Sequence, residues 1–310
     1  MTVYNYQNTW NKKEIRKVVK RKFPDFKLNK IEIQPSTKCH FNCPWCFGKN
    51  LKPKVEEPIK PEIYRDNVFK PIRKYRPIVM IAGLYSEPLL YPWIEDIFKA
   101  VKGLKFGLYT NGLELKEDIS RIILENSTPK SHISINISSA LHFGRIDEII
   151  RNIEVFAKLR KKINPKFQIN APILLNGTDF KDLQARLLKV GVDNIRYSLQ
   201  LTPIYPVNVI KELKKLAPKN VFLNEKKYDK CYAMTNSLSI SPTGYVYPCS
   251  QTTTSVLKGF EIGSVIDKKI TDIWQSDEHK KFWKKFNPNC EVCRCNVVEH
   301  KFNEFCNSLR

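Results

Sequence analysis

The chain has 310 residues, 42% of them hydrophobic, with 53 Lys and Arg against 31 Asp and Glu, a formal net charge of +22. That length suits one large α/β domain with a small appendage, and no compositional class other than soluble globular fits. No run approaches ~18 uncharged apolar residues, which excludes a membrane-spanning helix, and the opening MTVYNYQNTWNKKE lacks the apolar centre of a secretory signal, so the expected location is cytoplasmic.

Ile15, Val18, Val19 and Phe23 recur at near-helical spacing and predict an amphipathic lead-in helix over 11–23. The stretch from Lys12 to Lys30 holds nine basic and two acidic residues and is the one segment dense enough to suggest a docking patch. Short β-type runs follow at 31–34, 78–82, 105–109, 132–137, 167–173 and 194–199. Helical patterns alternate with them at 61–75, 92–102, 117–126, 146–161, 180–190 and 207–216. Six strand–helix units predict a parallel sheet with right-handed crossovers, either an open doubly wound sheet or a partial barrel. A closed eight-unit barrel needs about 250 residues and is disfavoured. Ligands then belong at the C-terminal ends of the strands. From about residue 228 the texture changes to cysteines, shorter helices and Gly/Pro turns, and a domain boundary is expected there.

The nine cysteines are clustered, which in a reducing compartment points to metal rather than to disulfides. The first strand runs into Cys39-His40-Phe41-Asn42-Cys43-Pro44-Trp45-Cys46. Three thiolates in such a loop can ligate three irons of a cubane and leave the fourth open, as a catalytic site requires. Zinc with a distant fourth ligand is the alternative.

The spacing of Cys39, Cys43, Trp45 and Cys46 resembles the C-x3-C-x-φ-C signature (φ aromatic) of the radical S-adenosylmethionine superfamily. The resemblance implies a partial (β/α)6 TIM-like barrel and a [4Fe–4S] cluster whose open iron is chelated by S-adenosylmethionine. Cleavage of the latter gives a 5′-deoxyadenosyl radical, the cofactor carrying the chemistry and the protein aiming it. Gly83-Leu84-Tyr85-Ser86-Glu87-Pro88-Leu89 stands where the family has a Gly-Gly-Glu type motif, with Tyr85-Ser86 replacing the paired glycines. By that resemblance Gly83, Ser86 and Glu87 bind the methionyl amine. Asn136 and Ser138, read as part of the fourth strand, are the expected contacts to ribose and carboxylate. Asn170 and Ser198 on the fifth and sixth strands are weaker candidates, and Trp45 flanks the cofactor. Tyr109-Thr110-Asn111-Gly112 is similar to a family feature that is structural around the substrate cavity.

The C-terminal cysteines read Cys231-x12-Gly244-x4-Cys249, then Cys290-x2-Cys293-x-Cys295, and finally Cys306. Gly244 lies in a turn leading to a strand that delivers Cys249. This half resembles the SPASM/twitch extension, which implies an auxiliary [4Fe–4S] cluster. A full SPASM domain holds two clusters on further cysteines that this spacing lacks. The twitch form, with one cluster on Cys231, Cys249, Cys290 and Cys293, fits better. A zinc ribbon is the alternative. Cys295 and Cys306 are left as substitute ligands, inert buried thiols, or hydrogen-atom donors to a substrate radical. The expected organisation is therefore a basic lead-in over 1–30, a partial barrel over 31–227, and a small iron–sulfur (twitch/SPASM-like) domain over 228–310.

The resemblance implies hydrogen-atom abstraction followed by oxidation, such as dehydrogenation or cross-linking, of a peptide or carbohydrate-type substrate, with the auxiliary cluster taking the electron. Epimerisation with a cysteine as hydrogen-atom donor is the second enzymatic reading. A zinc or iron–sulfur nucleic-acid-binding protein without radical chemistry is the non-enzymatic one. The basic surface favours an anionic partner, an acidic peptide or a phosphorylated small molecule. Nucleic acid is disfavoured, since no aromatic-plus-basic module appears. A flavodoxin or ferredoxin is the expected electron donor.

Overall fold

A computed structural model describes residues 12–46, 57–83, 86–175, 181–199, 230–250, 260–286 and 297–309. In chain order these form α1 (Lys12–Val19), β1 (Lys30–Ile33), α2 (Pro61–Ile63), a π-helical turn (Tyr64–Phe69), α3 (Lys70–Ile72) and β2 (Ile78–Ile81). There follow α4 (Ile94–Val101), β3 (Phe106–Thr110), α5 (Glu117–Glu125), β4 (His132–Ile135), α6 (Ile137–His142), α7 (Ile146–Ile163), β5 (Gln168–Leu175), α8 (Lys181–Lys189) and β6 (Asn194–Leu199). The C-terminal elements are β7 (Ser237–Ile240), β8 (Tyr245–Tyr247), β9 (Gly263–Ser264), α9 (Ile270–Ile273), α10 (Asp277–Lys285) and α11 (Val297–Ser308). The helix expected at 207–216 lies outside the described residues.

The chain divides into two compact units, one of 33–61 and 78–222, the other of 1–32, 62–77 and 223–310. In the first, β2 to β6 pair in parallel and in sequence order. The strands alternate with helices as expected for a partial (β/α)6 barrel. β-Branched residues are concentrated in two of them: Ile78, Val79 and Ile81 in β2, Ile133 and Ile135 in β4. The helices cover one face. Phe98 of α4 packs on Phe106 at 5.7 Å, and Phe156 of α7 on Phe167 at 5.5 Å. Helix α4 buries Ile94, Ile97, Phe98 and Val101, an i, i+3, i+4, i+7 stripe, with Glu95 and Asp96 in its first turn where the helix dipole favours them. Helix α7 is clasped to the sheet by Arg160. Its buried guanidinium donates to the carbonyls of Phe167 (3.1 Å) and Gly191 (3.2 Å) and pairs with Asp193.

Two expectations need correction. The fourth strand ends at Ile135 rather than 137, because Asn136 caps a new helix: its Oδ1 accepts from the Ser138 N–H at 3.2 Å. Asn136 and Ser138 therefore lie on α6 and its cap, not on the strand. The helix read over 61–75 is interrupted by a π turn in which the Lys70 N–H reaches back to the Arg65 carbonyl. Pro71 gives the reason, since it donates no hydrogen bond and its ring crowds the carbonyl four residues earlier.

In the second unit, β7 and β8 form an antiparallel hairpin whose turn holds Gly244 at φ +83°, a conformation that glycine adopts without strain. β9 pairs with β8. Ile15 and Val19 of α1 share an apolar cluster with Phe26, Tyr232, Trp283, Phe302, Cys306 and Leu309. Residues 62–77 join the same unit: Asn67 Nδ2 donates to the Val265 carbonyl at 2.7 Å, and Tyr75 meets Trp274 edge to face at 5.2 Å. No helix among the described residues is long and apolar enough to cross a membrane.

Candidate functional site

The three-cysteine loop lies at the C-terminal ends of β3 and β4. Its placement follows from local contacts. Phe41 stacks on Phe143 at 5.1 Å and Trp45 meets His142 edge to face at 4.9 Å, tying the loop to the end of α6. His40 reaches Glu114 at 2.8 Å. The buried Cys43 thiol is 3.1 Å from Ser139 Oγ. Cys39 Sγ receives the Asn111 amide at 3.9 Å. Burial pushes the pKa of both thiols up, and Cys39 is raised further by Glu87, Cys43 and Cys46. Three neighbouring thiols, one receiving the Asn111 amide and one against the Ser139 hydroxyl, suit an electron-rich, thiolate-ligated group. Among the described residues no three His, Cys, Asp or Glu side chains gather tightly enough for a single metal ion.

Beside the loop, Glu87 is 1% exposed. Its Oε1 accepts from Thr110 Oγ1 (2.6 Å) and the Leu89 N–H (3.1 Å), and its Oε2 from the Asn111 N–H (2.7 Å). Its own N–H donates to the Lys38 carbonyl at 2.7 Å. Glu87 thus fastens the strand-β2 loop to the end of β3 and to the residue before Cys39. Burial lifts its carboxyl to about 7 despite those donors. A carboxylate has about four acceptor sites, so one remains for a further donor. At Gly83 a β-carbon would fall 2.0 Å from the Ser86 carbonyl oxygen, so the loop doubles back on a position that admits no side chain. Ser86 Oγ is buried with no hydrogen-bond partner among the described residues. That orphaned hydroxyl and the spare acceptor site fit a small polar cofactor group. Leu84 and Tyr85 lie outside the described residues.

In the C-terminal unit the hairpin carries the chain on to the buried Cys249, and Cys231 is half-buried. Asn303 of α11 donates to Cys231 Sγ at 3.5 Å while its Oδ1 accepts from the Ala233 N–H at 2.9 Å. Cys290, Cys293 and Cys295 lie outside the described residues.

Residues 231–296 match the SPASM family, an iron–sulfur cluster-binding domain. The solved structure of Streptococcus suis SuiB bound to S-adenosylmethionine is similar over 93% of this chain and 76% of its own, with a TM-score of 0.67 at 17% identity. SuiB bound to precursor peptide SuiA is similar over 94% and 77%, at 0.66 and 16%. BtrN in complex with AdoMet and 2-DOIA covers 85% of this chain and 88% of its own, at 0.51 and 16%. No curated protein matches by sequence. The chain has the fold of SuiB and BtrN, and its residues 231–296 match an iron–sulfur cluster-binding domain.

On that fold the expected site residues fall into three groups. Cys39, Cys43, Cys46, Trp45, Gly83, Ser86 and Glu87 come together in the barrel unit, with Asn136 and Ser138 on the cap of α6 that also brings Ser139. Asn170 is held by Asn194, whose Nδ2 donates to its Oδ1 at 2.9 Å. Ser198 is on the backbone of β6. Cys306 is 0% exposed inside the apolar cluster of the SPASM-bearing unit, and burial pushes its thiol far up, as an inert core thiol requires. Ser139, Asn111 as a sulfur donor, and Asn303 were not singled out from the sequence. They stand 96, 72 and 72 residues from the thiols they meet; Asn111 lies in the Tyr109–Gly112 motif, whereas no local pattern announces Ser139 or Asn303.

Proposed function

We propose that the chain is a radical S-adenosylmethionine enzyme that oxidises a peptide or carbohydrate-type substrate. In this reading Cys39, Cys43 and Cys46 hold the catalytic [4Fe–4S] cluster, and Cys231, Cys249, Cys290 and Cys293 hold an auxiliary one. The barrel spans 31–227 and the auxiliary domain 228–310. The carrying observation is the convergence of three thiols with Ser139 and Asn111 at the strand ends, beside the Gly83–Glu87 loop. Cys39, Cys43 and Cys46 would hold the group that, with S-adenosylmethionine, would supply hydrogen-atom abstraction, and Cys231, Cys249, Cys290 and Cys293 would hold one able to take up an electron.

The chain's own residues position these groups. Asn111 donates to the Cys39 sulfur, and Ser139, which accepts from the Cys43 thiol, would turn its hydroxyl to donate to that sulfur once it is a ligating thiolate, offsetting its negative charge. Glu87 holds the β2 loop against β3, which leaves Ser86 Oγ and the spare Glu87 acceptor site for the methionyl amine. Asn136 and Ser138 take polar groups of the cofactor beside α6, and Trp45, braced by His142, walls the loop. Packing of Cys306 into the apolar cluster supports oxidation over quenching of a substrate radical by that thiol. SuiB, bound to its precursor peptide, and BtrN, with 2-DOIA, support a peptide or small-molecule substrate. The basic chain suits an acidic flavodoxin or ferredoxin as reductant.

The test is 5′-deoxyadenosine formation by anaerobically reconstituted protein given S-adenosylmethionine and dithionite, wild type against Cys39→Ala/Cys43→Ala/Cys46→Ala. Cleavage by the wild type and none by the variant is expected. Zinc in place of iron in both, with no cleavage, would sink the proposal.

A further inference from the structure

Parallel sheets are normally covered on both faces and apolar on both. In the barrel unit only one face follows that rule. The register sets Leu108 beside Ile133 and Ile169 on the helix-covered side, and these three are fully buried. The other face reads Met80 on β2, Gly107 and Tyr109 on β3, His132 and Ser134 on β4, Gln168, Asn170 and Pro172 on β5, Asn194 and Arg196 on β6. It is floored by His132, whose ring lies where a Gly107 β-carbon would fall, 2.5 Å from its Cε1. Above the floor Tyr109 is 37% exposed and Asn194 is bonded to Asn170 at 2.9 Å. Arg196 is exposed and, among the described residues, has neither hydrogen bond nor ion pair. No described residue of β2 to β6 is acidic. The face is mostly polar and opens to solvent at Tyr109 and Arg196.

We propose that Arg196, with the Asn170–Asn194 pair one pleat below it, binds an anionic group of the substrate, a carboxylate or a phosphate. The inference rests on the proposed radical reaction only in calling that ligand the substrate. The guanidinium presents its donors as a planar fork matched to both anions. The Asn pair spends one acceptor and one donor on itself and keeps further amide N–H groups for the ligand. The register puts Arg196 level with Asn111, the donor to Cys39, three strand spacings away, roughly 14 Å along the sheet.

Labelling of Arg196 by phenylglyoxal tests this on the reconstituted full-length protein, read by peptide mass spectrometry at matched ionic strength. Succinate or inorganic phosphate slows labelling of Arg196 severalfold, neutral succinamide does not, and the exposed Arg16 of α1 is unaffected. Which anion protects distinguishes carboxylate from phosphate. Asn170→Ala/Asn194→Ala keeps Arg196 reactive and loses the protection. Equal labelling in all conditions, or equal protection of Arg16, overturns the proposal. 5′-Deoxyadenosine formation in the same preparation reads the radical chemistry separately: protection without cleavage leaves an anion site and removes the radical reading alone.

Discussion

Three candidate ligand sulfurs are each met by a neutral polar side chain: Cys43 by Ser139, Cys39 by Asn111 and Cys231 by Asn303. A donor to a ligating sulfur withdraws charge and stabilises the reduced form of a thiolate-bound cluster. Ser139→Ala should therefore shift the midpoint potential of the catalytic cluster to more negative values and leave the auxiliary cluster unmoved, with Ser139→Thr restoring it. A redox titration followed by electron paramagnetic resonance measures this, and an unchanged potential in the alanine variant would contradict the role. These residues also mark where sequence reading stops. A motif announces its own cysteines because they are neighbours in the chain. It cannot announce Ser139 or Asn303, which arrive beside them only through the ordering of strands and the docking of α11.

At the scale of elements, β2 and β4 are legible from their runs of isoleucine and valine, and α7 because its apolar stripe runs over 18 residues. α6 was missed because Ile133, Ile135 and Ile137 keep alternating past the end of the strand, and only the cap bond of Asn136 turns the chain. α10 carries a pH dependence of its own. His279 is fully buried, accepts from the Gln275 N–H at Nδ1 (3.2 Å) and lies 2.9 Å from the Met234 carbonyl through Nε2. It is therefore the neutral Nε2–H tautomer, and burial lowers its pKa from 6.5 to about 4. A depressed base lends stability above its unfolded pKa and loses it as pH falls through the folded one. Between pH 6.5 and about 4 this group should remove about 3 kcal/mol of stability. Urea unfolding at several pH values, wild type against His279→Gln, measures it: the slope over that window flattens in the variant, and equal slopes would contradict the assignment.

For the whole molecule, the alternation of strands and helices and the paired cysteine groups carried fold class and cofactor type, and both follow from local spacing. Compact units did not follow from spacing: 62–77 lies with 223–310 because Asn67 and Tyr75 find partners some 200 residues away. The polar sheet face was equally hidden, since Tyr109, Ser134, Asn170 and Arg196 become one surface only when four strands are in register. All of this serves one claim, that three thiolates leave an iron open for S-adenosylmethionine. The direct measurement is the electron paramagnetic resonance spectrum of the reduced protein with and without S-adenosylmethionine. One cluster signal should change on addition and be missing from the Cys39→Ala/Cys43→Ala/Cys46→Ala variant, which keeps the auxiliary signal. A spectrum indifferent to S-adenosylmethionine, with the same signals in the variant, would contradict it.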